Sequence, residues 1–277
     1  GSYVNLGIGV PTLVADATLV HRSDLLRAIE SRGGHIAQGA SDAALILAAL
    51  DSHGDAGIAL LEGDFAFILH DAVSGRVVAA RDFAGRRSLF HARVGDELYL
   101  ATTLNGLISD PAIPRTLDLV SLTTVAAGLW SHAPETAYRA VRELPAGHLL
   151  HWEPGREPEL LCHWSPPEHV ERHRLSLDAS AEELRALLHS SLRERLDPDA
   201  PTAVSLSGGW DSTAVFAMGQ RVRECEPRAS SPLRAVSISY PVGDPGREDE
   251  TIAAVLARWK SATHWIDVNE IPLFDDA

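Results

Sequence analysis

Residues 207–212, with the sequence SGGWDS, have the types and spacing to hold phosphate groups. Paired glycines permit a tight turn and let backbone N–H groups approach phosphate oxygens without interference from a Cβ atom. A helix that follows directly would present its free N–H groups and positive dipole end to the same anion. Ser207 and Ser212 can donate hydroxyl hydrogen bonds, and Asp211 is suited to hold a Mg²⁺ ion that bridges the phosphates. The loop therefore predicts a magnesium-dependent pyrophosphate site.

A strand-to-helix turn in which Asp and Ser only cap a helix is the alternative interpretation of this loop. A lone Gly-Gly pair would leave the two interpretations even, whereas the whole SGGWDS loop between a strand and a helix favours phosphate binding. The loop is not a Walker loop, because it lacks Gly-Lys-Ser/Thr, and it lacks the GxGxxG spacing of a dinucleotide turn. Trp210 occupies the remaining position, and we expect it to pack under the loop.

The elements that position this loop alternate between helix and strand in the second half of the chain. We predict a helix from 177 to about 196, strand 202–206, helix 212–221, strand 234–240, helix 249–259 and strand 264–268. Such alternation is typical of a parallel, doubly wound α/β sheet. Open parallel sheets usually have more strands, so we expect this domain to be incomplete as given. Asp249 and Glu250 are predicted to cap the helix that they begin.

The first half shows short apolar runs separated by turn signals, which predicts a mixed α+β domain. Predicted strands are 11–15, 65–71, 77–81, 88–92, 97–102 and 147–152, and predicted helices are 23–30 and 41–50, with Ser23 and Ser41 as N-caps. Residues 152–174 are rich in Pro, Glu and His and are predicted to form an interdomain linker. The predicted domains are therefore 1–164 and 165–277.

Composition excludes several classes of protein. The net charge is −14 and Lys260 is the single lysine, which argues against a broad nucleic-acid surface. No apolar run approaches the 18 or more residues of a membrane span, and no signal peptide begins the chain. Cys162 and Cys225 lack CxxC spacing, which argues against a disulfide framework or a zinc site. We expect a protein of the reducing cytoplasm.

The motifs as a set resemble those of a known family. SGGxDS resembles the signature of the ATP pyrophosphatases, and within that group the chain is similar to the asparagine synthetase family. Segments 62–67 (EGDFAF), 80–90 (ARDFAGRRSLF) and 142–148 (RELPAGH) match that family in order, before the loop. The resemblance implies an Ntn-hydrolase-like glutaminase fold followed by a synthetase domain that splits ATP between its α and β phosphates with Mg²⁺. It also implies that backbone near Leu206 and around Ile238 holds adenine.

The chain departs from that family where glutamine would be hydrolysed. Active relatives use an N-terminal cysteine, and no cysteine precedes Cys162, which truncation of the native N-terminus would also explain. Their Asn-Gly-Glu segment, which helps to form the oxyanion hole, falls on residues 15–17 (Ala-Asp-Ala), and such donors contribute a few kcal/mol to catalysis. Ser41 and Asp42 preserve part of the glutamine site, so Asp42 is predicted to be a vestige of it. Glutamine hydrolysis is predicted to be absent.

Without ammonia from glutamine, the activated carboxylate needs another amine. Glutaminase-degenerate relatives include β-lactam synthetases and lasso-peptide macrolactam cyclases, in which the attacking amine belongs to the substrate. Tethering the two groups raises their effective molarity by orders of magnitude. We therefore predict an intramolecular amide-bond synthetase acting on a carboxylate substrate such as a precursor peptide, with a homodimer as a possible assembly. Glutamine-dependent asparagine synthesis and a non-catalytic docking scaffold remain alternatives.

Some polar residues have structural interpretations. Asp64 and Asp82 lie in matched motifs and are predicted to make hydrogen bonds that stabilise the fold. Arg81, Arg86 and Arg87 form a basic cluster beside Asp82, for which either a structural ion pair or a place at the border of the glutamine pocket is predicted. Relatives supply a catalytic lysine and an SGEGxDE-type segment downstream of the third strand, and Lys260 is in no such context. The residues that act on the acceptor amine are therefore not identified.

Overall fold

A computed structural model describes residues 2–4, 12–37, 39–129, 134–168, 175–196, 200–225 and 232–271. The chain divides into two compact units, Gly1–Val170 and Glu171–Ala277. Pro11, with which the first predicted strand begins, lies outside the described residues, as do residues 169–174 of the predicted linker. The predicted domain limits of 164 and 165 remain a prediction.

The first unit contains two antiparallel sheets within the described residues. One has six strands in the order β1-β2-β3-β4-β8-β9, and the other has three in the order β6-β5-β7. The strands are β1 (Ser2–Val4), β2 (Thr12–Leu19), β3 (Gly63–His70), β4 (Val77–Arg81), β5 (Phe90–Val94), β6 (Glu97–Ala101), β7 (Val141–Glu143), β8 (His148–Trp152) and β9 (Glu159–Cys162). The helices are α1 (Arg22–Ser31), α2 (Asp42–His53), α3 (Leu104–Ile108) and α4 (Leu119–Ala126).

Alternation of side chains along β3 gives the larger sheet two buried faces. Phe65 and Phe67 belong to a core cluster that includes Ile29 of α1. Ala66, between them, belongs to a second cluster with Leu144. Successive side chains of a strand point to opposite faces of the sheet, so one strand serves both cores. The unit is therefore layered, with helices on one face of the six-stranded sheet and the second cluster on the other.

Two local predictions in this unit were wrong and one was confirmed. Part of the predicted linker is strand β9, which pairs antiparallel with β8; pairing across the sheet supplies stability that its irregular sequence does not indicate. Ser23 does not cap α1, because the N-cap is His21, at φ 50°. Ser41 does cap α2, since its side chain accepts from Ala44 N–H at 3.3 Å.

The segment Asp42–Leu60 joins α2 to a short 3₁₀ helix (Gly54–Leu60). Among the described residues it is the one helical segment whose length, 19 residues, and composition would suffice to cross a membrane. The length of this helical segment is not apparent from the sequence, because Asp51, His53 and Asp55 interrupt the apolar run. Leu45, Ile46 and Ile58 are fully buried in the core. Packing against the sheet therefore explains the apolar character of the segment.

The second unit has the predicted parallel sheet. Strands β10 (Thr202–Ser205), β11 (Leu233–Ser239) and β12 (Thr263–Asp267) lie side by side in that order, and both pairings are parallel. The connecting helices are α6 (Trp210–Cys225) and α7 (Asp249–Arg258), and α5 (Leu177–Arg193) precedes the sheet. A 3₁₀ turn, Val268–Glu270, follows β12. Helices join consecutive parallel strands because a parallel pair needs a crossover connection.

Buried His91 leads to a prediction about pH. His91 in β5 is 8% exposed, and burial, with a smaller contribution from Arg142, lowers its pKa to about 4 from the usual 6.5. In the unfolded chain His91 therefore binds a proton below pH 6.5, whereas in the folded chain it does so only below about pH 4. The free energy of unfolding should fall as pH drops through that window, by about 3 kcal/mol in total.

Urea denaturation at pH 7 and pH 4.5 measures this effect. His91→Leu should remove the part of the pH dependence that His91 contributes, because leucine cannot take up the proton in either state; His163, whose pKa burial also lowers, contributes to the remainder. The matched control is His70→Leu, which replaces an exposed histidine at the end of β3. Equal pH dependence in wild type and His91→Leu would contradict the prediction.

Candidate functional site

The predicted phosphate loop lies where β10 ends and α6 begins. Leu206 follows β10 and is 2% exposed, and its N–H donates to the Val236 carbonyl of β11 at 2.8 Å. Ser207, Gly208 and Gly209 then form the turn, and α6 begins at Trp210. Open α/β sheets bind ligands at the carboxyl ends of their strands, so the loop occupies the edge at which a nucleotide site is expected.

Hydrogen bonds within the loop set its shape. Ser212 Oγ accepts from Ser207 N–H at 3.1 Å and donates to the Ser207 carbonyl at 3.2 Å. The two serine hydroxyls lie 2.9 Å apart. Gly209 N–H donates to Ser207 Oγ at 3.2 Å. The two serines thus stabilise the turn by hydrogen bonds within the loop. The sequence interpretation assigned their hydroxyl groups to phosphate and did not include this role.

Gly208 contacts a carboxylate from a distant part of the chain. Its N–H donates to Glu248 Oε2 at 2.9 Å. A Cβ atom added at Gly208 would lie 3.0 Å from Glu248 Cβ and 3.1 Å from its Cδ, so the Glu248 side chain lies along the loop. The close approach explains a glycine here, because any side chain would displace Glu248.

Glu248 was missed by the sequence interpretation, which assigned only Asp249 and Glu250 as helix caps. Glu248 is the N-cap residue of α7, without a side-chain capping bond. Asp249 and Glu250 do lie in the first turn of α7. Asp249 accepts from Ser239 Oγ and pairs with Arg247, each at 2.7 Å, so its cap assignment was wrong. The sequence did contain a signal for Glu248: it directly precedes the helix that follows β11, so it lies at the carboxyl end of a parallel strand, as the loop does.

Three other predicted residues lie at the same edge of the sheet. Asp211 is exposed in the first turn of α6. Trp210 is 95% exposed, so the prediction that it packs under the loop was wrong; as the first residue of α6 it points away from the turn's interior. Ile238 is 42% exposed near the end of β11, and it is paired with Ile266 of β12. Its role near adenine stays a prediction.

The donor set at the loop suits magnesium held jointly with phosphate. In the described part of the chain no group of three or more His, Cys, Asp or Glu side chains could hold a metal ion. Mg²⁺ usually keeps several waters and binds one or two carboxylates plus substrate phosphates. A lone Asp211 fits such an ion, which would arrive with the nucleotide.

Asp42, the predicted remnant of the glutamine site, is hydrogen-bonded to another side chain of the same unit. Arg22 of α1 donates to Asp42 Oδ1 and to the Ala40 carbonyl. Leu19 N–H donates to Asp42 Oδ2 at 3.2 Å. Arg22, Asp42 and Ala17 line a cavity of about 300 Å³. The Asp42 carboxylate is therefore already paired with a guanidinium group from within the chain.

The segment that replaces the family's oxyanion-hole residues is an ordinary strand. Ala15, Asp16 and Ala17 lie in β2, which pairs with β3 along its length. Asp16 is paired with Arg87 at 3.5 Å. The side chains of these three residues supply no hydrogen-bond donor of the kind that an oxyanion hole needs, and the loss of glutamine hydrolysis stays a prediction.

The matched motif around Asp82 is structural, as predicted. Asp82 is fully buried, and its carboxylate accepts from the N–H groups of Phe65, Ala84, Arg86 and Arg87 at 3.0–3.2 Å.

Each arginine of the cluster beside Asp82 has a carboxylate partner other than Asp82, and that of Arg81 is Glu143 at 2.7 Å. Arg81 also donates to the carbonyl groups of Leu144 at 2.8 Å and Gly85 at 2.7 Å. Asp64 lies 3.8 Å from Arg86 Nε. Arg81 therefore ties the turn between β4 and β5 to the chain just after β7.

Comparison with known proteins gives matches for both units. A family model described as glutamine amidotransferase domain matches residues 13–161, and one described as asparagine synthase matches residues 183–275. Amidase chyE of Penicillium rubens is 28% identical over 86% of this chain and 37% of its own length. Asparagine synthetase [glutamine-hydrolyzing] 3 of Bacillus subtilis is 26% identical over 84% of this chain and 37% of its own length.

Among solved structures, glutamine phosphoribosylpyrophosphate amidotransferase from B. subtilis, complexed with ADP and GMP, has a TM-score of 0.39 and 13% identity. The match covers 95% of this chain and 62% of that chain.

The fold and the matches define a protein of two parts, a layered amidotransferase-type unit and a parallel α/β unit with a glycine loop at its strand ends. The chain belongs to the asparagine synthetase family. It spans 37% of the length of the first two relatives, so the activity of a whole protein is a matter for proposal.

Proposed function

We propose that this chain contributes the ATP-binding part of an amide-forming ligase that adenylates a carboxylate. The position of the Ser207–Ser212 loop at the carboxyl ends of parallel strands carries this proposal. The N–H groups of Gly208 and Gly209 and the start of α6 would bind the pyrophosphate portion of ATP. Mg²⁺, held by Asp211 and phosphate oxygens, would neutralise charge on the departing pyrophosphate.

The proposed reaction has two steps. A carboxylate oxygen of the substrate attacks the α-phosphorus of ATP, and pyrophosphate leaves with the electron pair of the α–β bridging bond. An amine then attacks the acyl carbon, AMP departs, and the nitrogen loses a proton. The loop acts in the first step, because it holds the leaving group in line with the attack.

We further propose that the amine comes from the substrate and not from glutamine. Arg22 on Asp42 supports this, because a glutamine ammonium group would have to displace a guanidinium already paired with that carboxylate. The Ala15–Ala17 segment supports it too, since it offers no family-type oxyanion donors. A tethered amine, as in a macrolactam formed from a precursor peptide, fits these two features. We place such an enzyme in the cytoplasm, where ATP is available.

Glutamine-dependent asparagine synthesis is the second candidate function. Relatives named as glutamine-hydrolysing asparagine synthetases favour it, at 26% identity in B. subtilis and 27% in Schizosaccharomyces pombe. Relatives named as amidases, at 28% and 30% identity, show that proteins similar to this chain carry other names as well. Release of glutamate from glutamine separates the two candidates.

ATP–pyrophosphate exchange by the purified protein tests the proposal. We expect exchange that depends on Mg²⁺ and on one carboxylate among aspartate, β-amino acids and precursor peptides encoded nearby. We also expect no glutamate release from glutamine, with or without ATP. ATP- and acceptor-dependent glutamate release would favour asparagine synthesis. Failure to bind Mg-ATP by calorimetry would instead favour a docking scaffold with a vestigial loop.

A further inference from the structure

The Glu248 side chain occupies a backbone donor that the proposed function assigns to phosphate. Gly208 N–H donates to Glu248 Oε2 at 2.9 Å, and both are parts of the exposed edge where α6 and α7 begin. A carboxylate and a phosphate both present anionic oxygens to a backbone N–H group. One N–H hydrogen cannot serve both, so binding of pyrophosphate at Gly208 requires the carboxylate to leave.

Neighbouring residues explain why Glu248, of the three consecutive acids, reaches the loop. Asp249 pairs with Arg247 at 2.7 Å, and Glu250 lies 3.8 Å from the same guanidinium. Among the ion pairs of the described residues, none includes Glu248. Its negative charge is therefore attracted to the N–H group of Gly208, the one of the turn that the two serines do not accept from, and to the positive end of the α6 dipole.

The geometry allows the side chain to leave without moving the helix. Ile252 N–H donates to the Glu248 carbonyl at 3.0 Å, so the backbone at this position is fixed by the first turn of α7. The side chain itself is exposed and can rotate into solvent. A single exposed hydrogen bond to a carboxylate is worth little in water, so the contact can be broken by a more highly charged ligand.

We infer that Glu248 is a built-in competitor for the phosphate loop, whose carboxylate holds Gly208 N–H until the pyrophosphate portion of Mg-ATP displaces it. The inference rests on the proposed ATP site and adds a residue that sets its affinity. Glu248 gives the loop a negatively charged occupant that keeps its backbone donor paired in the absence of nucleotide. The Glu248 carboxylate also weakens the binding of anions whose charge is too small to displace it. It returns to Gly208 N–H when pyrophosphate leaves.

The test is calorimetric titration of wild type and Glu248→Gln with Mg-ATP, inorganic pyrophosphate and adenosine. Glutamine keeps the shape of the side chain and removes its charge. We expect Glu248→Gln to bind Mg-ATP and pyrophosphate about three- to tenfold more tightly, since removing one repelling charge near a surface has effects of this order. Adenosine, which has no phosphate, should bind equally to both proteins.

Glu250→Gln is the matched control, because it removes one charge from the same helical turn but not from the loop. We expect its affinity for Mg-ATP to change less than twofold. Weaker binding by Glu248→Gln, in proportion to Mg²⁺ concentration, would overturn the inference and make Glu248 a magnesium ligand. Unchanged affinity would overturn it as well. Absence of Mg-ATP binding in wild type and variant alike would overturn the proposed function, and the inference with it.

Discussion

Replacing Asp211 by asparagine is expected to lower ATP–pyrophosphate exchange by about 100-fold or more, while leaving the fold intact. The side chain is exposed in the first turn of α6, so its loss costs little packing. Asparagine keeps the size but loses the negative charge with which a carboxylate holds Mg²⁺ between phosphates. The loss should appear in the chemical step, because pyrophosphate would leave without a neutralising ion.

A matched control separates magnesium binding from the effect of charge on a helix. Asp178 lies in the first turn of α5, in the same unit, as Asp211 does in α6. Asp178→Asn removes the same charge from a helix N-terminus, which costs about 0.3–1 kcal/mol of helix stabilisation, and should leave exchange within twofold of wild type. Higher Mg²⁺ should restore part of the activity of Asp211→Asn. Exchange by Asp211→Asn at the wild-type rate would contradict a magnesium role.

Replacing Asp82 by alanine is expected to lower the free energy of unfolding of the first unit by about 3–5 kcal/mol. The Asp82 carboxylate is fully buried and accepts from four backbone N–H groups. Alanine would leave these four donors without their acceptor, and the Phe65 N–H, which is buried, would have no water to replace it. The turn that follows β4 would therefore lose the group that holds it together.

Urea denaturation measures the loss, and hydrogen exchange locates it at the amides of Ala84, Arg86 and Arg87. Asp82→Asn should lose less, because its amide keeps one acceptor oxygen. Asp96→Ala is the negative control, since the Asp96 side chain is 85% exposed and lies 3.6 Å from Arg93; such pairs contribute about 0–1 kcal/mol. A loss below about 1 kcal/mol for Asp82→Ala would refute the structural role.

Most of what the sequence predicted correctly depends on neighbours along the chain. The parallel strands β10–β12 were predicted within one or two residues, because helix and strand periods alternate clearly there. The capping role of Ser41 was predicted because the cap and its helix are adjacent. Asp82 was identified as a fold-stabilising acid, and its partners at 84, 86 and 87 lie in the same motif.

The failures involve positions whose environment depends on residues far away in sequence. Residues 159–162 lack a strand pattern of their own and become β9 because β8 offers backbone partners. Trp210 was expected to pack, but the start of α6 turns it outward to 95% exposure. Ser23 was chosen as a cap by type, whereas the N-cap of α1 is His21, two residues earlier. Residue type alone does not specify where a helix begins or which way its first side chains point.

The sequence by itself determined that a glycine loop joins a strand to a helix, and that the family's oxyanion residues are replaced in the first half. Only the tertiary structure decided what occupies the two predicted pockets. Arg22 lies on Asp42, 20 residues away, and Glu248 lies on Gly208, 40 residues away. Local spacing and periodicity describe residues within a few positions of one another. Contacts over such separations exist only because the packed sheets and helices bring these side chains together.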